Sequence, residues 1–352
     1  MKRIMTTAGL ALLFCLPAAA QTKKVDIDNE WFTYAYRELP KQAREPAFFY
    51  YAAEVNATST ARKNLSVQEI KDAIWIEGQR KTDSKEEALL ILGVSLGDIL
   101  VVSSDVAERK QEVKDKEGKV TATNYFYTVK VTYTFEAAFS IRAGETKLAN
   151  TLAYNRNTKL SYASSEYTKR KDAVDFWNNN REVLISGFYR ELSLGVAAKV
   201  SELASYNYGF RAIKGARDLV KITDEKKHAE NEAFRSAVKT LTGALKATTP
   251  DEPLDRALVT PLINYFKSIP KKYTDTKLKA DISLRYAAYF NLCKIYLLLD
   301  EPDKVGAYAD RLVANGLSPK DGEKLKKEAE ELKAALEKAG VNTRHFKPDE
   351  YF

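Results

Sequence analysis

Residues 125–141 carry a strict alternation that few folds can use. Tyr125, Tyr127, Val129, Val131, Tyr133, Phe135, Ala137, Phe139 and Ile141 are all apolar or aromatic. Between them stand Thr128, Lys130, Thr132, Thr134, Glu136 and Ser140, with only Phe126 and Ala138 breaking the polar set. A period of two marks a β-strand with one buried and one wet face. At about 3.3 Å per residue the run would reach roughly 55 Å, longer than common strands. The spacing therefore predicts a bend, a bulge or a hairpin arm extending past a sheet, with the remaining elements covering, pairing with or appended to this strand.

The chain has 352 residues, enough for two or three domains, and 45% of them are apolar, enough for packed cores. Its 20 tyrosines fall mostly in the first 210 residues, which argues against an all-helical protein. The net charge of +8 comes from interspersed charges of both signs. A nucleic-acid footprint needs a basic stripe, and the longest cluster is Lys169-Arg170-Lys171, so no nucleic-acid partner is expected.

The N-terminus reads as a secretion signal. Lys2 and Arg3 form a basic start, Ala8 to Leu16 a short apolar core, and Ala18-Ala19-Ala20 a small-residue cleavage site before Gln21. The apolar core is too short to span a bilayer. Phe14 stands where a lipidation motif at Cys15 wants a small residue. Cleavage after Ala20 and a periplasmic or secreted location are expected, with no integral membrane segment after cleavage. Cys293 is then the one remaining cysteine, set in an apolar helical run, and reads as a small buried hydrophobe.

After the signal, residues 1–20, the pattern divides in two. Residues 21–210 read as an α+β domain. Strands are expected over 32–36 and 48–57, and a helix over 66–77 opened by the capping box Ser66-Val67-Gln68-Glu69. The apolar run 88–96 reads as a strand buried on both faces. Residues 99–106 pair with the long strand through a charged turn near Asp115-Lys116-Glu117-Gly118, and 147–154 return after Ala143-Gly144-Glu145. Residues 155–171 read as a polar connection. A helix over 181–205, striped by Ile185, Phe188, Leu192, Val196, Val200 and Leu203, covers the antiparallel or mixed sheet. Residues 211–222 are taken as a linker. Residues 223–340 show only helical spacing: five helices, the second striped by Leu254, Leu258, Leu262, Tyr265 and Phe266 and kinked or restarted at Pro261. Residues 341–352 form a tail.

Tyr289, Leu292 and Tyr296, then Asp300-Glu301-Pro302, then Val305, Tyr308, Ala309 and Leu312 resemble one tetratricopeptide repeat, over about residues 286–317. Cys293 and Lys294 depart from the glycine usual there, and Val305 from alanine. The resemblance implies a helical hairpin whose first helix lines a peptide-accepting groove. Asn291 stands where peptide-clamping members carry an asparagine, with Lys294 a turn later, so these two are the candidate peptide-binding residues. Their bland reading is a solvent-facing polar pair. The first domain also resembles, in element order alone, the small periplasmic domains of bacterial envelope-assembly factors, such as penicillin-binding-protein activator lipoproteins and the curli secretion channel.

Catalytic signatures are sparse. His228 and His345 read as solvated surface residues, and no H-E-x-x-H, G-x-S-x-G or Walker pattern occurs. Asp300, Glu301 and Asp303 read as helix-capping acids. Asp98 and Glu136 are the one carboxylate pair weighed as a catalytic dyad, against turn and wet-face readings. No catalytic residue, metal or cofactor is assigned. The expected function is a non-enzymatic envelope protein acting as a scaffold or assembly factor for protein partners, with the ends of the long hairpin as a second docking candidate. The alternative is a carbohydrate-binding protein or hydrolase that stacks sugars on Trp31, Trp75 and Trp177.

Overall fold

A computed structural model describes residues 25–223 and 228–352. The expected signal and its cleavage site lie outside the described residues. In chain order the elements are β1 (Ile27–Glu38), β2 (Tyr50–Ala57), α1 (Ser59–Asn64), α2 (Val67–Asp72), β3 (Arg80–Lys81), β4 (Leu90–Leu96), β5 (Leu100–Lys114), β6 (Val120–Thr134), β7 (Ala137–Ala143), β8 (Thr146–Tyr154), β9 (Lys159–Ala163), α3 (Arg170–Tyr208), β10 (Arg211–Ile222), α4 (Asn231–Lys246), α5 (Arg256–Lys272), α6 (Lys279–Leu298), α7 (Val305–Ala314) and α8 (Pro319–Ala339). Sheets occupy the N-terminal half and helices the C-terminal half, so the fold is α+β. Among the described residues no helix is long and apolar enough to cross a membrane.

The chain forms two compact units. The sheet unit comprises Ala35–Lys214, Thr248–Pro253 and Ala334–Phe352; the helical unit comprises the residues up to Tyr34, Gly215–Ala247 and Leu254–Lys333. Each is therefore assembled from separated stretches, and the divisions fall inside β1, β10 and α8. Residues 211–222, expected as a linker, are instead the strand β10, which pairs with β1. Full burial is confined to Leu219, Val220 and Ile222 and a polar stretch follows, which is why the segment reads as extended but unpaired.

In the sheet unit a five-stranded mixed sheet runs β3-β2-β4-β7-β8, with β2 parallel to β3 and β4 and the other pairs antiparallel. A second, three-stranded antiparallel sheet runs β5-β6-β9. The long alternating run does bend: it breaks at Phe135 and Glu136 into β6 and β7, which belong to different sheets. The apolar register survives the break, because Val129, Val131, Tyr133, Phe135, Ala137, Phe139 and Ile141 are all buried in one core. Gly97 permits the bend. A Cβ there would stand 2.9 Å from the Glu136 carbonyl oxygen, too close for any side chain. The polar connection expected over 155–171 also contains the short strand β9.

Helix α3 covers this core. Phe188, Val196 and Val200 are buried, while Ile185, Leu192 and Leu203 are half-buried against the same cluster. The Phe188 ring stacks on Tyr133 with centroids 4.6 Å apart. Two serines one turn apart accept backbone N–H groups from the segment after α2: Ser201 Oγ from Trp75 and Ser205 Oγ from Glu77, each at 3.0 Å. Those donors would otherwise be orphaned at a helix cover.

Residues 341–352, expected as a tail, are built into the sheet unit. Phe346 is buried and packs edge-on against Phe48 and Phe210, and Tyr351 stacks on Phe48 at 4.3 Å. Arg37 donates to the carbonyl oxygens of Phe346 (2.8 Å) and Phe210 (3.0 Å) and pairs with Asp251. His345 is 3% exposed, with Nδ1 2.8 Å from the Thr249 carbonyl oxygen. Its expected place at the surface is corrected by that packing, since short-range charge said nothing of a partner 96 residues away.

In the helical unit α5 runs unbroken through Pro261, from the N-cap Asp255, whose side chain accepts from Ala257 N. No restart occurs at Thr260. Its buried face is Val259, Ile263, Phe266 and Ile269; of the expected stripe Leu254 and Phe266 are buried, Leu262 and Tyr265 half-buried, and Leu258 is 58% exposed. Helix α6 is buried on nearly every side, with Tyr34 Oη donating to the Leu298 carbonyl oxygen at 2.5 Å. Helices α7 and α8 approach closely at Gly322, where a Cβ would stand 2.7 Å from the Ala309 carbonyl oxygen. Helix α7 ends as its sequence requires, with Asn315 at the C-cap and Gly316 at φ 78°.

Candidate functional site

Asn291 and Lys294 both lie on α6, one turn apart. Asn291 is 0% exposed, and its amide meets the backbone of β10 at both ends. Val220 N donates to Asn291 Oδ1 at 2.7 Å, and Asn291 Nδ2 donates to the Val220 carbonyl oxygen at 2.8 Å. The amide thus grips an extended backbone at two points, and that backbone is the chain's own strand. Lys294 is also engaged: its Nζ lies 3.6 Å from both Asp218, on β10, and Glu328, on α8. The solvent-facing reading of the pair fails because β10 fills this face of α6.

The opposite side of the same helix hairpin carries a cleft. Tyr296 of α6 and Tyr308 of α7 stack with ring centroids 5.7 Å apart, nearly parallel. Lys267 of α5 and Lys304 place their Nζ 5.8 and 5.7 Å from the Tyr296 centroid, and the Arg311 guanidinium lies 5.6 Å from that of Tyr308. Hydrogen bonding to Tyr296 raises the Lys267 pKa, so this side chain stays charged. Arg256 and Lys304 share Glu301, at 2.6 and 3.1 Å. The cleft consists of two neighbouring lobes of about 420 Å³ each, with Lys267 and Tyr308 in the lining of both. Sequence reasoning missed it because Tyr296 and Tyr308 read as packing positions. The available signal was Lys267 and Lys271 at i, i+4 on the exposed face of α5.

The outer part of the β5–β6 hairpin is a two-stranded arm. Strand β9 pairs with β6 only over Lys130–Thr134, and beyond it a single bridge joins Tyr127 to Tyr167. Beyond that bridge the pairs run out from Arg109↔Phe126 to Lys114↔Val120, with Val113, Val120 and Tyr125 exposed. Asp115 builds the turn by accepting from Glu117 N (3.0 Å) and Lys119 N (2.9 Å), and Gly118 takes φ 82°. Arg109 pairs with Glu166 at 2.7 Å and lies 4.5 Å from the Phe126 centroid, tying down the root of the arm.

The other candidates separate. Glu136 pairs with Arg156 at 2.6 Å and lines a cleft of about 420 Å³, while Asp98 accepts from the Thr58 hydroxyl and does not line it. Trp31 (62% exposed) lies on β1 in the helical unit; Trp75 (42%) and Trp177 belong to the sheet unit. Trp75 is tied to Ser201, far along α3 from Trp177, a separation of about 36 Å at 1.5 Å per residue. These aromatics do not form one sugar-stacking row. His228 is half-buried with its ring 5.3 Å from that of Tyr273, not solvated, and burial lowers its pKa. Beside it Glu230 is buried, accepting from Lys272 Nζ (2.6 Å), Tyr273 Oη (2.7 Å) and Tyr265 Oη (3.1 Å). Burial alone would raise this carboxyl, but those hydrogen bonds outweigh it and hold it below its usual value. Among the described residues no group of three or more His, Cys, Asp or Glu could hold a metal ion.

No family model matches the chain, and no curated protein matches it. Among the solved structures that match, that of a neuraminyllactose-binding hemagglutinin homolog from Helicobacter pylori aligns with 47% of this chain and 96% of its own length. The identity is 11% and the TM-score 0.18, values that support no inference about fold or function.

Proposed function

We propose that this chain is a non-enzymatic protein-binding factor, exported to the bacterial cell envelope, where it acts as a scaffold or assembly factor. The observation that carries the reading is the β5–β6 arm. Among the described residues neither of its edges has a partner strand over the outer pairs, and exposed Val113, Val120 and Tyr125 stand among Lys and Glu. An open edge of this kind accepts a partner strand. The repeat-like α6–α7 hairpin supports a second, helical docking surface, and the tetratricopeptide resemblance belongs to this reading.

A photo-crosslinker at Val113 or Val120 tests it in intact cells. The expected result is one discrete protein adduct from either position and none from a control position at the exposed Lys63. Adducts equal to the control would sink the arm as a docking site. N-terminal sequencing of envelope-fraction protein checks the export reading, with Gln21 as the expected first residue.

A further inference from the structure

The cleft between α5, α6 and α7 has an electrostatic imbalance that packing does not require. Five cations line it (Arg256, Lys267, Lys271, Lys304 and Arg311) and, among the described residues, no acid does. Glu301 answers two of them. Lys267, Lys271 and Arg311 make no ion pair with any acidic side chain among the described residues. Two of the three are fixed over tyrosine rings, so less side-chain entropy remains to be lost when an anion arrives. The stacked Tyr296 and Tyr308 fill the floor against each other, leaving polar rims for carboxylates rather than an open ring for a sugar.

We propose that this cleft is the docking site for an extended acidic segment of a partner protein. Charge complementarity chooses the occupant. The lobes follow α5 from Arg256 to Lys271, about 22 Å at helical rise, which matches six or seven residues of extended chain at about 3.3 Å each. The face of α6 that carries Asn291 is closed, because Val220 already holds that amide. A partner of the helical unit is therefore directed to the α5–α7 side. The proposal rests on the protein-binding reading and adds the chemistry of the ligand.

The test is fluorescence anisotropy of the full chain with a labelled decapeptide of alternating Glu and Ala, at low ionic strength and at about 0.15 M salt. Saturable binding that weakens with salt is expected. Lys267→Gln/Arg311→Gln should weaken it at least tenfold with the far-ultraviolet spectrum unchanged. The charge-matched Lys320→Gln/Lys324→Gln, exposed on α8, should leave it within twofold. An equal loss in both variants, no saturable binding, or equal affinity for an oligothymidylate of the same charge would each overturn the proposal. The arm's crosslinks are read separately, so failure of the cleft with adducts intact removes this site and leaves the broader reading standing.

Discussion

Replacing Asn291 with Ala removes the one side chain that holds β10 against α6 at Val220. Val220 is buried, so its N–H and C=O lose their partners where water cannot replace them. An unsatisfied buried polar group costs about 1–3 kcal/mol. Two such groups give roughly 2–6 kcal/mol, and the small cavity adds to it. Asn291→Leu restores the volume without the amide, so it isolates the polar part and should recover little. The assay is urea unfolding followed by circular dichroism, together with hydrogen exchange at the Val220 amide. The expected outcome is a lower midpoint for the helical unit at unchanged slope. A loss of about 3 kcal/mol should speed Val220 exchange by about two orders of magnitude. If Asn291→Ala costs under about 1 kcal/mol and Val220 exchange is unaltered, the clamp is incidental and the closed face of α6 has been misjudged.

Other outcomes follow from single contacts. Arg37→Ala strips the Phe346 and Phe210 carbonyls of a charged donor and should destabilise the sheet unit by roughly 3–5 kcal/mol, read as a fall in its unfolding midpoint. Gly322→Val drives a side chain into the Ala309 carbonyl and Val313, where a Cβ would already stand 2.7 Å from each, and should cost about 1–3 kcal/mol. Cys293 is fully buried and its thiol pKa is pushed up to about 12 by desolvation, so a thiol reagent should leave it unmodified until the helical unit unfolds. Glu230 has a folded pKa below its unfolded value. Its contribution is complete above the ordinary glutamate value and is lost as pH falls through the lower folded one. Tyr265→Phe removes one donor to Glu230, so acid unfolding should move to higher pH, monitored by fluorescence.

Much of the fold was legible because it is local. The β6–β7 alternation, the α3 stripe and the Asn315-Gly316 stop all reflect neighbouring residues, and each stands where its spacing puts it. The bend at Phe135 was legible only as excess length, since the strand end it packs against, at Gly97, lies far back in the chain. What the sequence hid was long-range. Strand β10 is defined by its pairing with β1, His345 by Thr249, and Phe346 by Phe48 and Arg37. On α5, the Leu258 stripe lost to Val259 because the helix continues through Pro261 instead of restarting. The candidate site divided the same way. Asn291 was picked out by position, but its ligand proved to be Val220, and the basic cleft appears only when α5, α6 and α7 converge.

Arg37 and the Phe346 carbonyl it holds are 309 residues apart. During synthesis the sheet unit can start early, yet its aromatic box stays open until residues 346–352 emerge from the ribosome. Such a chain delays its own completion until its last residues are made. A truncation ending before Phe346 should stall in the same half-made state, and its open box at Phe48 and Phe210 would be a natural foothold for chaperones and proteases.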